Sequence, residues 1–295
     1  MRRGQGSTDR GEGRRKRLGP PPAAPATVTA RLHWGRRSGL RVTVAICAAG
    51  MTPSVALAAE HWMISNVPAY YQGHYGTAHP VGILYDPTDI QYQRSPLRIK
   101  LSIPYVSVVN LPKGAWLSGA DVVARTPGPG VRTASGLGDI WLAGHYTLIP
   151  ERGLRPAWVP YVKIKFATAR AAQGLGTGRN DYEAGLGLRT TIGANVFPFA
   201  HVGYRFVGSP PGVRLRDIAT YDAGVSIATR ARDVVTVFYA GAQSEQPGLA
   251  GPSDVIGAWN YRLTRAGSGL QVYLDHGLTS GSARLGGGLG VQWVF

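Results

Sequence analysis

The sequence predicts an all-β chain: a transmembrane, antiparallel up-and-down β-barrel of twelve strands following a cleaved signal peptide. Three observations carry this. Apolar and polar residues alternate with period two in many separate stretches. No stretch beyond the first 58 residues offers the roughly 18 consecutive apolar residues of a helical membrane span. The connections between the alternating stretches are rich in Gly, Pro, Ser and Asn, the residues of turns and loops.

The first element is an N-terminal extension. The chain has 295 residues, 32 Lys and Arg against 16 Asp and Glu, and a net charge of +16. Eleven of those basic residues lie in residues 1–58 against Asp9 and Glu12, so the remainder, with 21 basic and 14 acidic side chains, is only +7. A basic patch on a folded domain would point to nucleic acid; here the densest run, RRKR at 14–17, lies in a Gly/Pro/Arg-rich segment without hydrophobic periodicity, and nucleic-acid binding is not expected. Next come Arg36, Arg37 and Arg41, an apolar run from Val42 to Ala49, and Ala56-Leu57-Ala58, the three parts of a secretory signal cleaved after Ala58. Thr52, Pro53 and Ser54 stop the run well short of a span. The expected organisation is therefore 1–58, extension plus signal, and 59–295, barrel. The residues ahead of the signal read either as a start codon placed too early or as an added extension. Cys47 is the sole cysteine and falls in the signal, so no disulfide is expected in the exported part.

The barrel elements follow in order. VPAYYQGHYG and VGILYDPTDIQYQ supply two strands, the second weakened by Pro87. LRIKLSIPY places Leu97, Ile99, Leu101, Ile103 and Tyr105 opposite Arg98, Lys100 and Ser102. WVPYVKIKF sets Trp158, Val162, Ile164 and Phe166 against Tyr161, Lys163 and Lys165. DYEAGLGLR opposes Tyr182, Leu186 and Leu188 to Asp181, Glu183 and Arg189, and FAHVGYRF opposes Val202, Tyr204 and Phe206 to His201 and Arg205. VIGAWNYRL and LQVYLDHG repeat the pattern with Arg262 and Asp275 on their polar faces. Pro160 and Pro198 fit best near strand ends or bulges. The chain closes on LGGGLGVQWVF, where Leu285, Leu289, Val291, Trp293 and Phe295 share one face and glycines with Gln292 form the other. That last stretch alone would equally suit a core strand of a soluble sandwich. The opposing faces decide for lipid: they carry Gly, Ala, Tyr and sparse charges of both signs, not the Lys, Glu and Thr of a face turned to bulk water. Tyr105, Tyr146, Trp158, Tyr182, Tyr204, Trp259, Tyr261 and Trp293 are outward and suited to interfacial aromatic girdles.

SGLGDIWLAGHY (135–146), VKIKFATA with GLGTGRNDYEAGL (162–186), GYRFVGSPPG (203–212) and the closing strand together resemble the outer-membrane barrel family labelled MetA pathway of phenol degradation. The resemblance covers residues 68–295. It implies a Gram-negative outer-membrane barrel acting as a channel or transporter for small, aromatic or hydrophobic solutes, without establishing phenol itself. It also implies that Val291, Trp293 and Phe295 form a signal read by the barrel-assembly machinery. The implied partners are that machinery, outer-membrane lipid and a small solute.

Catalytic and metal signatures are not found: there is no HExxH, CxxC or GxSxG, and GLGTGRND reads as a barrel loop. No cofactor, metal or enzymatic activity is expected. The expected lumen side chains are Arg98, Lys100, Asp139, His145, Lys163, Lys165, Asp181, Glu183, Arg189, His201, Arg205, Asp222, Arg262 and Asp275, with Arg284 as an eighth cation, giving a lumen surplus of positive charge that favours anions. Tyr161, Tyr239 and Tyr273 are expected to offer aromatic faces. A structural or adhesive barrel and a lipid-modifying barrel enzyme are the competing functions. Inward placement of Asp139 and His145 speaks against the enzyme.

Overall fold

The computed structural model describes residues 60–75, 77, 79–118, 121–124, 130–210, 212–246 and 250–295. Residues 1–59, with the expected extension, signal and cleavage residues Ala56 and Ala58, lie outside them. Sixteen strands are described: β1 (His61–Asn66), β2 (Ala69–Gly73), β3 (Val81–Arg94), β4 (Leu97–Pro112), β5 (Ala115–Ser118), β6 (Asp121–Ala124), β7 (Val131–Leu137), β8 (Ile140–Tyr146), β9 (Ala157–Phe166), β10 (Asp181–Arg189), β11 (Val196–Phe206), β12 (Ile218–Arg230), β13 (Asp233–Ala242), β14 (Ser253–Arg262), β15 (Gly269–Gly277) and β16 (Leu285–Val294). All but β5 and β6 lie in one antiparallel sheet. β1 and β2 are two halves of one stave, both pairing with β3 on one side and β16 on the other; β7 and β8 are halves of another, both pairing with β4. The sheet thus closes as a barrel of twelve staves. Trp62 and Phe295 complete the seal, exchanging backbone bonds of 3.2 and 2.9 Å. Closure leaves no open edge, which lipid would penalise by several kcal/mol per unpaired group.

Connections at the end bearing Glu60 and Phe295 are mostly short; the opposite end carries the longer segments 74–80, 113–130, 167–180, 207–217, 243–252 and 278–284. In outer-membrane barrels the short turns are periplasmic and the long loops extracellular. The outward side chains form an apolar band in which Val162, Val202, Val237, Leu274 and Leu289 are exposed. Trp62, Tyr146, Trp158, Trp259 and Trp293 ring its turn end, and Tyr70, Tyr182, Tyr204 and Phe206 its loop end. Tyr105 departs from the expected girdle: it lies halfway along β4, opposite Asp86. The prolines resolve in two ways. Pro160 and Pro198 sit just outside where one neighbouring ladder ends, at His145–Tyr161 and Arg189–Phe199, so their missing N–H costs no bond there. Pro87 and Pro104, by contrast, are paired with each other in mid-strand.

The glycine face of the closing strand has a packing reason. A Cβ at Gly286 would collide with the ring of Tyr71, and one at Gly288 with the ring of Tyr273. The two tyrosines lie flat on this stave, and their hydroxyls hydrogen-bond to each other. Gly185 and Gly203 do the same for Tyr161. Replacing Gly286 by leucine should therefore displace Tyr71 and weaken the barrel by about 1–3 kcal/mol, the usual range for overpacking. Loss of the heat-dependent gel shift at lower urea than for the unaltered chain would register this.

Candidate solute-binding lumen

One wall of the lumen is ionic, and its order follows from strand register. A row across β4, β8, β9, β10 and β11 aligns Lys100, Ala143, Lys163, Glu183 and Arg205. The row towards the loops aligns Ser102, Trp141, Lys165 and Asp181; the row towards the turns aligns Arg98, His145, Tyr161 and Gly185. Antiparallel pairing with period-two side chains turns every second residue of each strand into the same interior surface. Charges of opposite sign then fall beside one another. Lys165, 0% exposed, lies 2.6 Å from Asp181 and 3.8 Å from Asp139. Glu183 accepts bonds from Lys163 at 2.8 Å and Arg205 at 2.9 Å. Lys100 lies 2.7 Å from Asp89, which Ser102 also contacts. His201 and Asp222 approach to 2.6 Å.

Water reaches only part of this wall. Lys163 and His201 are each 33% exposed and Asp222 23%, whereas the side chains of Lys165, Asp181 and Glu183 are buried. The accessible space is bounded by rings as well as charges. His145 stacks on Tyr161 at 5.5 Å, His201 meets Tyr161 edge-on at 6.3 Å, Phe199 lies 6.0 Å from His201, and Lys163 sits 4.8 Å over the Tyr161 ring. Such a surface can hold a planar solute by its faces and a polar substituent by an ion or imidazole.

The opposite wall is apolar. Tyr71, Ile83, Tyr85, Val106, Val108, Phe238, Ile256, Ala258 and Tyr273 form one buried cluster on β2, β3, β4, β13, β14 and β15. Asp254 and Asp275 lie buried beside it, and neither forms an ion pair among the described residues. The cluster is completed by β5 and β6, a hairpin that turns inward. Its Ala115 and Leu117 are fully buried. Leu117 N–H donates to the Gly174 carbonyl at 2.8 Å, Arg132 donates to the carbonyls of Ala115 at 2.5 Å and Ala172 at 3.2 Å, and Ser118 Oγ donates to Glu245 at 3.4 Å. The hairpin therefore stands inside the loop end of the barrel, held between segments 167–180 and 243–252.

Glu245 gives this attachment a pH dependence. Burial pushes its carboxyl above the ordinary value of 4.5, and Arg205, 4.0 Å away, pulls it back only in part. A carboxyl raised in the docked state binds its proton more tightly there, so docking is favoured below the ordinary value and loses this contribution as pH rises through the raised one. Acidification through that window should reduce conductance, and Glu245→Gln should abolish the change.

No family model matches the sequence, and no curated protein matches it either. Solved structures do. The COG4313 outer membrane channel from Pseudomonas putida F1 superposes with a TM-score of 0.58 at 12% identity, covering 82% of this chain and 97% of that one. The fold is an outer-membrane barrel. The Ralstonia pickettii toluene transporter TbuX (11% identity, 80% of this chain and 89% of that one, TM-score 0.44) and the P. putida toluene transporter TodX (11%, 80% and 87%, 0.38) are also similar.

All fourteen lumen candidates lie on inward positions, but not on one surface. Asp139, Lys163, Lys165, Asp181, Glu183 and Arg205 meet in the ionic wall, with Arg98, Lys100, His145, His201 and Asp222 flanking it. Arg189 and Arg262 instead sit near the turns, donating to Thr147 at 3.1 Å and to the Ala231 carbonyl at 2.8 Å, and Asp275 belongs to the far wall. Two expectations need correction. Tyr239 is outward, stacked on Tyr221 at 6.0 Å, because Val234, Thr236, Phe238 and Ala240 take the inner face of β13. Arg284 is exposed in the segment before β16. The inward strands also carry Asp89 and Asp254, both unforeseen. Arg132 on β7 is a further inward cation, so among these described positions eight cations face seven carboxylates and most of the surplus of positive charge expected of the lumen is gone.

Proposed function

We propose that this chain is an outer-membrane channel for small solutes with aromatic or hydrophobic bodies, a member of the MetA-pathway of phenol degradation family, and not an enzyme. The observation that carries the reading is the two-sided lumen: an ionic wall with accessible Lys163, His201 and stacked rings faces an apolar wall, and an inward hairpin closes the loop end. The barrel shared with the COG4313 channel supports it. On this reading residues 1–58 are removed on export, residues 59–295 are inserted by the barrel-assembly machinery through Val291, Trp293 and Phe295, and the inward polar side chains line the path. The test is uptake of labelled phenol by cells with an intact outer membrane. Cells carrying the protein should take it up several-fold faster than cells with the empty vector; equal rates would refute the reading.

A further inference from the structure

Two carboxylates in the apolar wall lack a countercharge, and strand register brings them together. Phe238, Ile256, Asp275, Gly286, Tyr71 and Ile83 align in one row across β13, β14, β15, β16, β2 and β3. One row nearer the loops, Asp254 stands opposite Gly277, which makes it the diagonal neighbour of Asp275. Asp254 is 7% exposed and Asp275 4%. The other inward carboxylates are all matched: Asp89 by Lys100, Asp139 and Asp181 by Lys165, Glu183 by Lys163 and Arg205, and Asp222 by His201. Asp254 has Ser282 within hydrogen-bond reach but no cation among the described residues. Asp275 has none either, and its Oδ1 is buried with no hydrogen-bond partner. A buried carboxylate without a partner is costly, so one held at an inward position points to a partner that comes from outside the chain.

The surroundings define the chemistry of that partner. Gly286 alone separates Asp275 from Tyr71 in the row, and the Tyr71 ring lies over it; the Tyr273 ring lies over Gly288 one row nearer the turns. Both rings rest on bare backbone beside the carboxylate, with their hydroxyls committed to each other. Phe238 and Ile256 complete an aromatic and aliphatic surround. Two carboxylates supply too few oxygens for a calcium cage, and no group of three or more His, Cys, Asp or Glu side chains that could hold a metal ion occurs among the described residues. Carboxylates beside aromatic faces are suited instead to an organic ammonium, whose charge the acids neutralise while its apolar body rests on the rings. Leu117 and Val122 of the inward hairpin pack in the same buried cluster, so this wall is covered while the hairpin is docked.

We infer that Asp254 and Asp275 form a subsite for the ammonium group of an aromatic amine, which settles with its ring against Tyr71 and Tyr273 when the hairpin undocks. This rests on the channel reading above and names, among its solutes, a class that is cationic at neutral pH. The probe is labelled phenethylamine, protonated at neutral pH as a lysine side chain is, and its uncharged counterpart is phenethyl alcohol. Equilibrium dialysis against the purified protein in detergent should give the amine a dissociation constant at least about tenfold below that of the alcohol, as a charged hydrogen bond would. Asp254→Asn with Asp275→Asn keeps the side-chain size and should raise the amine's constant to that of the alcohol, with the heat-dependent gel shift retained. Equal affinity for amine and alcohol in the unaltered protein overturns the subsite without recourse to any variant. Unaltered amine binding by the folded double variant overturns it too. Displacement of the amine by calcium chloride, but not by sodium chloride of equal ionic strength, would make the pair a metal site and overturns the amine. Labelled-phenol uptake by cells is read separately. Its absence alongside a clear preference for the amine refutes the channel and leaves the subsite; its presence without that preference refutes the subsite and leaves the channel.

Discussion

Replacing residues 115–124 by two glycines should raise single-channel conductance several-fold and let larger solutes pass. The hairpin fills the loop end from within, with Ala115 and Leu117 buried against the apolar wall beside Ala169 and Leu175 of the 167–180 segment. It touches no strand ladder of the barrel, since β5 and β6 pair only with each other, so the twelve staves close without it. The variant should therefore keep its heat-dependent gel shift while its conductance in planar bilayers rises. Unchanged conductance would mean that the lumen is closed elsewhere, by the ionic wall or by the 167–180 segment packed beside it. A milder variant separates docking from filling: Arg132→Ala removes the donor to Ala115 and Ala172 without changing the hairpin itself. It should produce flickering between the closed and the large level, because a hairpin held by fewer bonds undocks more often.

How far the sequence reveals this lumen depends on whether alternation has a single phase. In β9 and β10 each polar residue is followed by an apolar one, so Lys163, Lys165, Asp181 and Glu183 could be placed inward from the sequence alone. In β13, VVTVFYAGA is apolar on both faces, and nothing local says which one meets lipid, so the expectation of an inward Tyr239 has no local support. Asp254 precedes the clear alternation of its strand by one residue. Asp89 follows Pro87, whose presence argued against a regular strand there. The hairpin is illegible for another reason: it lies between glycine- and proline-bearing connections, and Leu117 and Val122 give too short a pattern to stand apart from a loop. Twelve staves could be counted because alternation is a property of single strands and turn chemistry of the connections between them. The two walls could not, because they depend on which strands stand across from each other.

Lys165 carries the largest energetic stake in the ionic wall. It is fully buried, it is the cation nearest both Asp139 and Asp181, and Thr177 accepts a further bond from it at 3.4 Å. Lys165→Met removes the charge while keeping much of the side-chain volume. It leaves two buried carboxylates facing each other, a change of the kind that costs about 3–5 kcal/mol. The heat-dependent gel shift should then disappear at distinctly lower urea than for the unaltered protein. Adding Asp139→Asn and Asp181→Asn to the same chain should restore most of the loss, because the carboxylates that needed the cation are gone. Non-additivity of that size is the mark of groups coupled through one interaction. If the triple variant were as unstable as the single one, Lys165 would be acting through the packing of its alkyl stem and not through its charge. Glu183→Gln offers the matching case one row below, where Lys163 and Arg205 would be left to repel each other. Lys163 reaches water and can turn away, so this second loss should be the smaller.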